Sequence, residues 1–427
     1  MLSSVKNLAR RLLIRSQDLT GTDNVYIAKQ GFWSTFGFAA NSLLSFAVVW
    51  SFANFLPKEL YGTYKYLLSL VASITFLALS GINTAVAQAV SRGQHRALEY
   101  AVRFQLKWNL MFISVGIAIG GYYLYNGNSL FAYAISLLCI EWAISSALNT
   151  YGPYLAARKQ FKKVALYSFV SAFFYGICML IAVFATDSLF ILISVYVSAS
   201  LIPVFIIYRI TLRSVHGPEL SREQKSALLR YAGHLSLVNI VPTVAQSIDK
   251  ILAFQYAGPA ALATYAFASV GPDRVRGWLK SVGGIIFPKL AERSLAEIDR
   301  VFYRRVLQAI LVGCAAAAAY STAAPYVFQV FFPQYIESVR YSQVLSLSLI
   351  GISAAVYIGQ VVTAHKLLGI IYRGSLAVHG GKIILFIVMG YLWGIWGLIL
   401  STVCAQCFNT AWHSFLWYWY VRRPLRT

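Results

Sequence analysis

The chain has 427 residues, of which 59% are hydrophobic and 12% charged, with a mean hydropathy of +0.64. A soluble domain carries roughly 25% charged residues, so this composition excludes a soluble globular enzyme, a disordered chain and a collagen-like chain, and indicates a multi-span membrane protein. Lysine and arginine outnumber aspartate and glutamate by 36 to 14, a net charge of +22. The basic residues lie in short segments between apolar runs, so the excess reads as the positive-inside signal of a membrane protein and not as nucleic-acid binding.

Residues 1–30 open with MLSSVKNLARRLLIRS, which is arginine-rich and free of acids. The segment reads as a basic amphipathic helix on the cytoplasmic surface, with a mitochondrial presequence as the alternative and no cleavable signal pattern. Twelve apolar segments follow, at roughly 31–55, 61–83, 107–125, 130–150, 164–186, 188–210, 231–256, 260–288, 305–330, 339–365, 370–390 and 393–420. They divide into a six-helix lobe over 31–210, a cytoplasmic linker over 211–230, a second six-helix lobe over 231–420 and a short tail, 421–427. Of the basic residues in the connections and at the span ends, 28 fall on one side and only Lys58 and Arg340 on the other. That asymmetry places both termini in the cytoplasm and requires an even number of spans. The opposite connections (LPKELYG, YNGNS, TDS, YAGPA, FFPQYIES and YLWG) are too short for an active site. The five cysteines all lie inside apolar runs, and Cys404-x-x-Cys407 reads as two small residues one helical turn apart, with no metal site implied.

The two halves carry a faint internal repeat. Pro57, Leu60 and Thr63-Tyr64 run from the turn into span two, and Pro259, Leu262 and Thr264-Tyr265 from the turn into span eight, at an offset of 202 residues between the prolines. With the 6+6 division this suggests duplicated halves, as in many transporters.

Several stretches carry a family resemblance. FLPKELYGTYKYLLSLVASITFLALSGINTAVAQAVSRG resembles the first hairpin of Wzx-type polysaccharide flippases, which belong to the multidrug/oligosaccharidyl-lipid/polysaccharide exporter superfamily. SIDKILAFQYAGPAALATYAFAS with IIFPKLAER, then VFFPQYIESVRYSQVLSLSLIG, and then GYLWGIWGLILSTVCAQ are similar to matching parts of that family. The sequence departs from its typical pattern at Ala263 and at Gly271-Pro272-Asp273-Arg274. The resemblance implies an all-α membrane protein with about twelve transmembrane helices in two lobes around a central cleft. It implies transport of a polyprenyl-pyrophosphate-linked oligosaccharide from the inner to the outer leaflet of a bacterial inner membrane. The implied partners are that lipid-linked oligosaccharide and membrane lipids, together with a polysaccharide polymerase and a chain-length regulator.

Charges inside spans are costly and usually face a cavity or a partner. The spans hold Lys65, Lys250, Arg274, Arg276, Lys280 and Lys382 against Glu141, Asp249 and Asp273, a positive balance suited to an anionic cargo such as a pyrophosphate. Asp273, Arg276 and Lys280 recur at i, i+3 and i+7, on one helical face, and Pro272 is expected to kink the helix beside them. Arg276, Lys280, Lys382, Arg274 and Lys250 are the candidate head-group cations. Asp249, Asp273 and Glu141 are candidates for coupling to a proton or sodium gradient. Lys65, one turn below the outer surface, reads as snorkelling to it, and His365, His379 and His413 read as hydrogen-bonded structural residues. The WYWY run at 417–420 reads as an interfacial anchor.

No P-loop, zinc-protease pattern or catalytic outer loop is present in the sequence, so the expectation is a secondary transporter, not an enzyme, with no cofactor, no metal and no nucleic-acid partner. The alternatives are an ion-coupled drug or cation exporter of the same superfamily, which would favour an acidic cleft, and a non-transporting scaffold of a polysaccharide assembly complex.

Overall fold

The computed structural model describes residues 41–423, and these are helical almost throughout, with no strand among them. The amphipathic segment 1–30 and the start of the first span lie outside the described residues. In hydrocarbon every backbone N–H and C=O must be paired within the chain, so long apolar runs are driven into helices. Fourteen α-helices are described in chain order. α1 covers 41–55, followed by α2 (Lys58–Ser73), α3 (Ile82–Ser91), α4 (Ala97–Tyr125), α5 (Ser129–Leu148), α6 (Tyr151–Ala157), α7 (Phe161–Ala185) and α8 (Leu189–Leu212). The second half comprises α9 (Arg222–Val238), α10 (Ile240–Ala291), α11 (Leu295–Phe331), α12 (Ser338–Ser346), α13 (Ser348–Ala364) and α14 (Leu368–Trp417).

The ends of these helices follow from local chemistry. Ser221 and Gln224 form a capping box at α9, and Ser294 with Glu297 form another at α11, each satisfying backbone donors that lack partners in the first turn. Asn128 accepts from the Phe131 amide to start α5. α10 and α14 each contain one residue outside helical geometry: Gly258 at φ 84° and Gly394 at φ 56°. Both fall in the expected connections YAGPA and YLWG, and only glycine enters this backbone region without strain. The chain doubles back at Gly258, since Tyr265 reaches Asp249 on the preceding segment. The backbone stays helical through Pro272, so the break in α10 is at Gly258 and not at the expected proline kink.

Six of the described helical elements are long and apolar enough to cross a membrane singly, and two bent pairs qualify as joined spans. α2 and α3 form one such pair, bent by 49° across a short 3-10 turn, and α9 and α10 form the other, bent by 41°. The large side chains Ile181, Phe184 and Leu311 are exposed on these spans, as expected for surfaces in contact with acyl chains.

The largest core joins the halves. It contains Phe52, Tyr61 and Leu67 from α1 and α2 together with Phe267 and Phe386 from α10 and α14. The two repeat motifs meet in it: a Cβ built on Gly62 would overlap the Pro259 carbonyl oxygen, so α2 and α10 approach backbone to backbone. Tyr66 stacks on Phe254 at 4.0 Å and Tyr61 tilts against Phe267 at 4.7 Å. At the same end Lys58 pairs with Glu337 at 2.7 Å, Asn54 donates to the Phe331 carbonyl at 3.0 Å, and Gln334 returns a bond to the Asn54 carbonyl at 3.2 Å.

Of the three smaller cores among the described residues, two are extensive. One packs α3, α4, α6 and α8 with Leu220, Leu228 and Ala232. The segment expected as a linker, 211–230, is therefore helical from Arg222 onward and packs on the first half, because its apolar residues Leu228 and Ala232 recur on one face of α9. The Gly81 amide donates to Ser236 at 2.9 Å across this contact. The other core stacks Phe302 on Trp417 at 4.3 Å. Trp417 donates to Asp299 at 3.0 Å, which ties the WYWY run to α11.

Candidate functional site

Inward of the Pro57 end lie two adjoining cavities, one at the seam between the halves and one beside it, lined by second-half residues. The first, of about 320 Å³, lies among α1, α2 and α10 and is lined by Ser45, Tyr61, Lys65, Lys250, Asp273 and Arg274. The second, of about 310 Å³, shares Lys250, Ser269 and Asp273 with it and adds Gln246, Asp249, Arg276 and Lys382. The reversal at Gly258 is what places Asp249 and Lys250 beside Asp273, Arg274 and Arg276, although more than twenty residues separate them in sequence. Lys382 comes from α14, and Lys65 and Ser45 come from the first half.

Each charged group has a defined setting. Arg276 Nη1 lies 3.2 Å from Asp273 Oδ1, one helical turn away. Arg274 Nη2 donates to Ser45 Oγ at 2.6 Å, crossing from the second half to the first. Asp249 Oδ2 accepts from Tyr265 at 2.9 Å, and its Oδ1 is 3.8 Å from Lys250 Nζ. Lys382 Nζ donates to the Ala245 carbonyl at 2.9 Å and sits over the Phe386 ring at 5.0 Å. It lies in electrostatic range of Asp249, Arg276, Lys250 and Asp273, and Lys65 lies in range of Lys250 and Arg274.

The seam thus carries five cations, Lys65, Lys250, Arg274, Arg276 and Lys382, against the two carboxylates Asp249 and Asp273. Asp249 Oδ1 and Arg276 Nε are buried and make no hydrogen bond among the described residues. Buried polar atoms normally find a partner; Asp249 Oδ1 has only the ion pair with Lys250 at 3.8 Å. An excess of cations around cavities of this kind attracts phosphate and carboxylate groups and replaces part of their hydration.

Of the residues singled out from sequence, Arg276, Lys382, Arg274, Lys250, Asp249 and Asp273 share this seam. Two do not. Lys280 is exposed and lines neither cavity, because one further helical turn carries it past them. Glu141 is buried within the first half, bonded to Ser145 and in electrostatic range of Tyr175 and Tyr196, with no basic partner among the described residues. Lys65, read as reaching for the surface, lines the first cavity and lies over the Tyr61 ring at 5.3 Å. Ser45, Tyr265 and Thr402 were not legible as site residues; only the repeat motif around Thr264-Tyr265 hinted at one of them. His379 and His413 each bond a carbonyl one turn earlier, at 2.8 and 3.0 Å. The cysteines are all free.

Comparison with known proteins places this geometry. A lipid II flippase, MurJ, in an inward closed conformation matches with a TM-score of 0.69 at 13% identity, over 89% of this chain and 86% of that one. A MATE transporter in complex with MaL6 matches at 0.58 and 14% identity, over 93% and 97%. A transporter of the MOP superfamily from Pyrococcus furiosus Vc1, described by a binding pocket of reverse polarity, matches at 0.53 and 15%, over 93% and 97%. The fold is therefore the one these transporters share, and the chain is a multi-pass membrane protein. Residues 27–271, more than half of the chain, match the family described as "Polysaccharide biosynthesis protein", and the chain belongs to that family. None of the curated proteins matches the sequence.

Proposed function

We propose that the protein moves polyprenyl-pyrophosphate-linked oligosaccharide repeat units from the inner to the outer leaflet of a bacterial inner membrane, by alternating access of its two halves. The observation that carries this reading is the cluster of five cations against two carboxylates around two adjoining cavities, one at the seam between the halves and one beside it in the second half. Arg276, Lys382, Arg274, Lys250 and Lys65 hold the pyrophosphate or acidic sugars in the cavities while the lipid tail remains in the bilayer. Lys280 serves at the approach to the cavities, not within them.

Asp249 and Asp273 stand among these cations and are the groups through which a proton or sodium gradient would act on cargo affinity. Glu141 is a separate buried acid in the first half with the same capability. Both termini lie on the cytoplasmic side, so the Pro57 end, where the halves are in close contact, faces outward. A polymerase and a chain-length regulator receive the delivered unit. A cation exporter is less well supported, because a cationic drug would meet a net positive seam.

The test is a deletion strain in which lipid-linked repeat units are quantified on each leaflet together with surface polymer. Accumulation on the cytoplasmic leaflet with loss of polymer is expected, and wild-type protein but neither Arg276→Ala nor Lys382→Ala should restore export fully. Full restoration by both variants, at normal membrane levels, would overturn the role given to the seam. Unchanged polymer in the deletion strain would overturn the cargo assignment.

A further inference from the structure

A third cavity, of about 560 Å³, lies wholly within the second half, between the C-terminal part of α10 and helices α11 and α13. It shares no residue with the seam cavities. Its walls are mostly apolar, including Leu279, Ile286, Leu290 and Val312, and Ile286 and Val312 are themselves exposed at its margin. Its polar side is formed by Arg293, in the middle of the α10–α11 connection, and Arg305, on α11, with Tyr357 in electrostatic range of both.

Among the described residues no carboxylate pairs with either arginine, and Arg305 bonds only the neutral Gln308, at 3.1 Å. Of the neighbouring acids, Glu297 caps α11 and Asp299 holds Trp417 and Arg422, while Glu292 makes no ion pair with either arginine among the described residues. The cavity falls within the roughly 300–1,000 Å³ range of ligand sites and is far larger than a phosphate ion needs. An apolar chamber with two guanidinium groups on one side matches a molecule that is a hydrocarbon at one end and an anion at the other. Arginine forks suit phosphate oxygens, and the connection between spans sits where head groups lie.

We propose that this cavity binds an anionic phospholipid, with its phosphate on Arg293 and Arg305 and the start of an acyl chain against Leu279, Ile286 and Val312. The site is distinct from the transport seam and its occupancy does not depend on the cargo assigned above. A lipid held here wedges α10 against α11 and α13, and so connects the composition of the inner leaflet to the helix that carries most of the seam charges.

The test uses the full chain, delipidated in detergent and titrated separately with phosphatidylglycerol, phosphatidylcholine and inorganic phosphate. Retained lipid is read by native mass spectrometry and stability by the thermal midpoint. Phosphatidylglycerol should be retained and raise the midpoint. The double variant Arg293→Gln/Arg305→Gln should reduce its retention roughly tenfold, the change expected from losing a pair of charge-assisted bonds. Val312→Trp, which fills the chamber and keeps both arginines, should lower retention as well, whereas Arg222→Gln on another basic face should not. Equal retention by the double variant and the wild type would overturn the proposal. So would equal retention of phosphatidylcholine by the wild type, or a midpoint raised as much by inorganic phosphate as by phosphatidylglycerol.

Discussion

The Pro57 end of the seam and its middle are built from the same helices, α2 and α10, yet they meet in opposite ways. At the end, Gly62 lies against the Pro259 backbone and Tyr66 stacks on Phe254 at 4.0 Å. Some two turns inward, Lys250, Asp273, Arg274 and Arg276 hold the surfaces apart around the cavities. Small and aromatic side chains gain dispersion energy from close approach. Several like charges lose more from joint desolvation than they recover from each other, so they keep a polar space open. The charged middle is thus the part able to exchange protein contacts for cargo, and the apolar end is the part able to hold the halves shut. Lys58–Glu337 and the Asn54 bonds to Phe331 and Gln334 add directional contacts to that closure.

The largest test of this contrast is Gly62→Leu. The added side chain has no space against Pro259, and it should destabilise the fold by on the order of 3 kcal/mol, the upper range for overpacking, seen as a lowered thermal midpoint. An unchanged midpoint would mean that the closed end is not tightly packed. Next, Phe254→Ala removes the stack on Tyr66 and should cost about 2 kcal/mol; melting curves that match wild type would remove the aromatic contribution from the closure.

In the middle of the seam the effect moves from stability to transport. Lys382→Met removes a charge while keeping most of the side chain's volume, so the midpoint should hold while export falls roughly tenfold, the loss expected for a charge-assisted contact. A lowered midpoint with normal export would reverse the roles assigned to the two regions.

The smallest effect is at Lys58–Glu337. The bond from Lys58 holds the Glu337 carboxyl below its ordinary value of 4.5. A carboxylate depressed in this way contributes its stabilisation above that ordinary value and loses it as pH falls through the lower, folded-state value. Because the pair is solvent-accessible, with side chains 31% and 56% exposed, its contribution should stay below about 1 kcal/mol. Wild type should therefore lose slightly more stability than Glu337→Gln as the medium is acidified past about pH 4.5. Parallel losses in the two proteins would show that the pair adds nothing to the closure.

The helical, membrane-spanning class was legible in the sequence because a bilayer imposes one rule on every residue: long apolar runs must be helices, and the basic residues must collect between them. The turn positions were legible for a similar reason, since Gly258 and Gly394 occupy backbone geometry that other residues avoid. The sequence alone also identified which charges lie inside spans. It did not determine their grouping. Lys280 follows Arg276 by one turn of the same helix and stands outside the cavities, and Lys65 turns inward against Tyr61. Glu141 resembles Asp249 in composition and depth but is enclosed among the tyrosines of one half. A helical period says which residues share a face, whereas only the packing of α1, α2, α10 and α14 decides what that face meets. The reversal at Gly258 and the close contact at Gly62 set that packing, and the charged seam exists because residues far apart in the chain are brought together there.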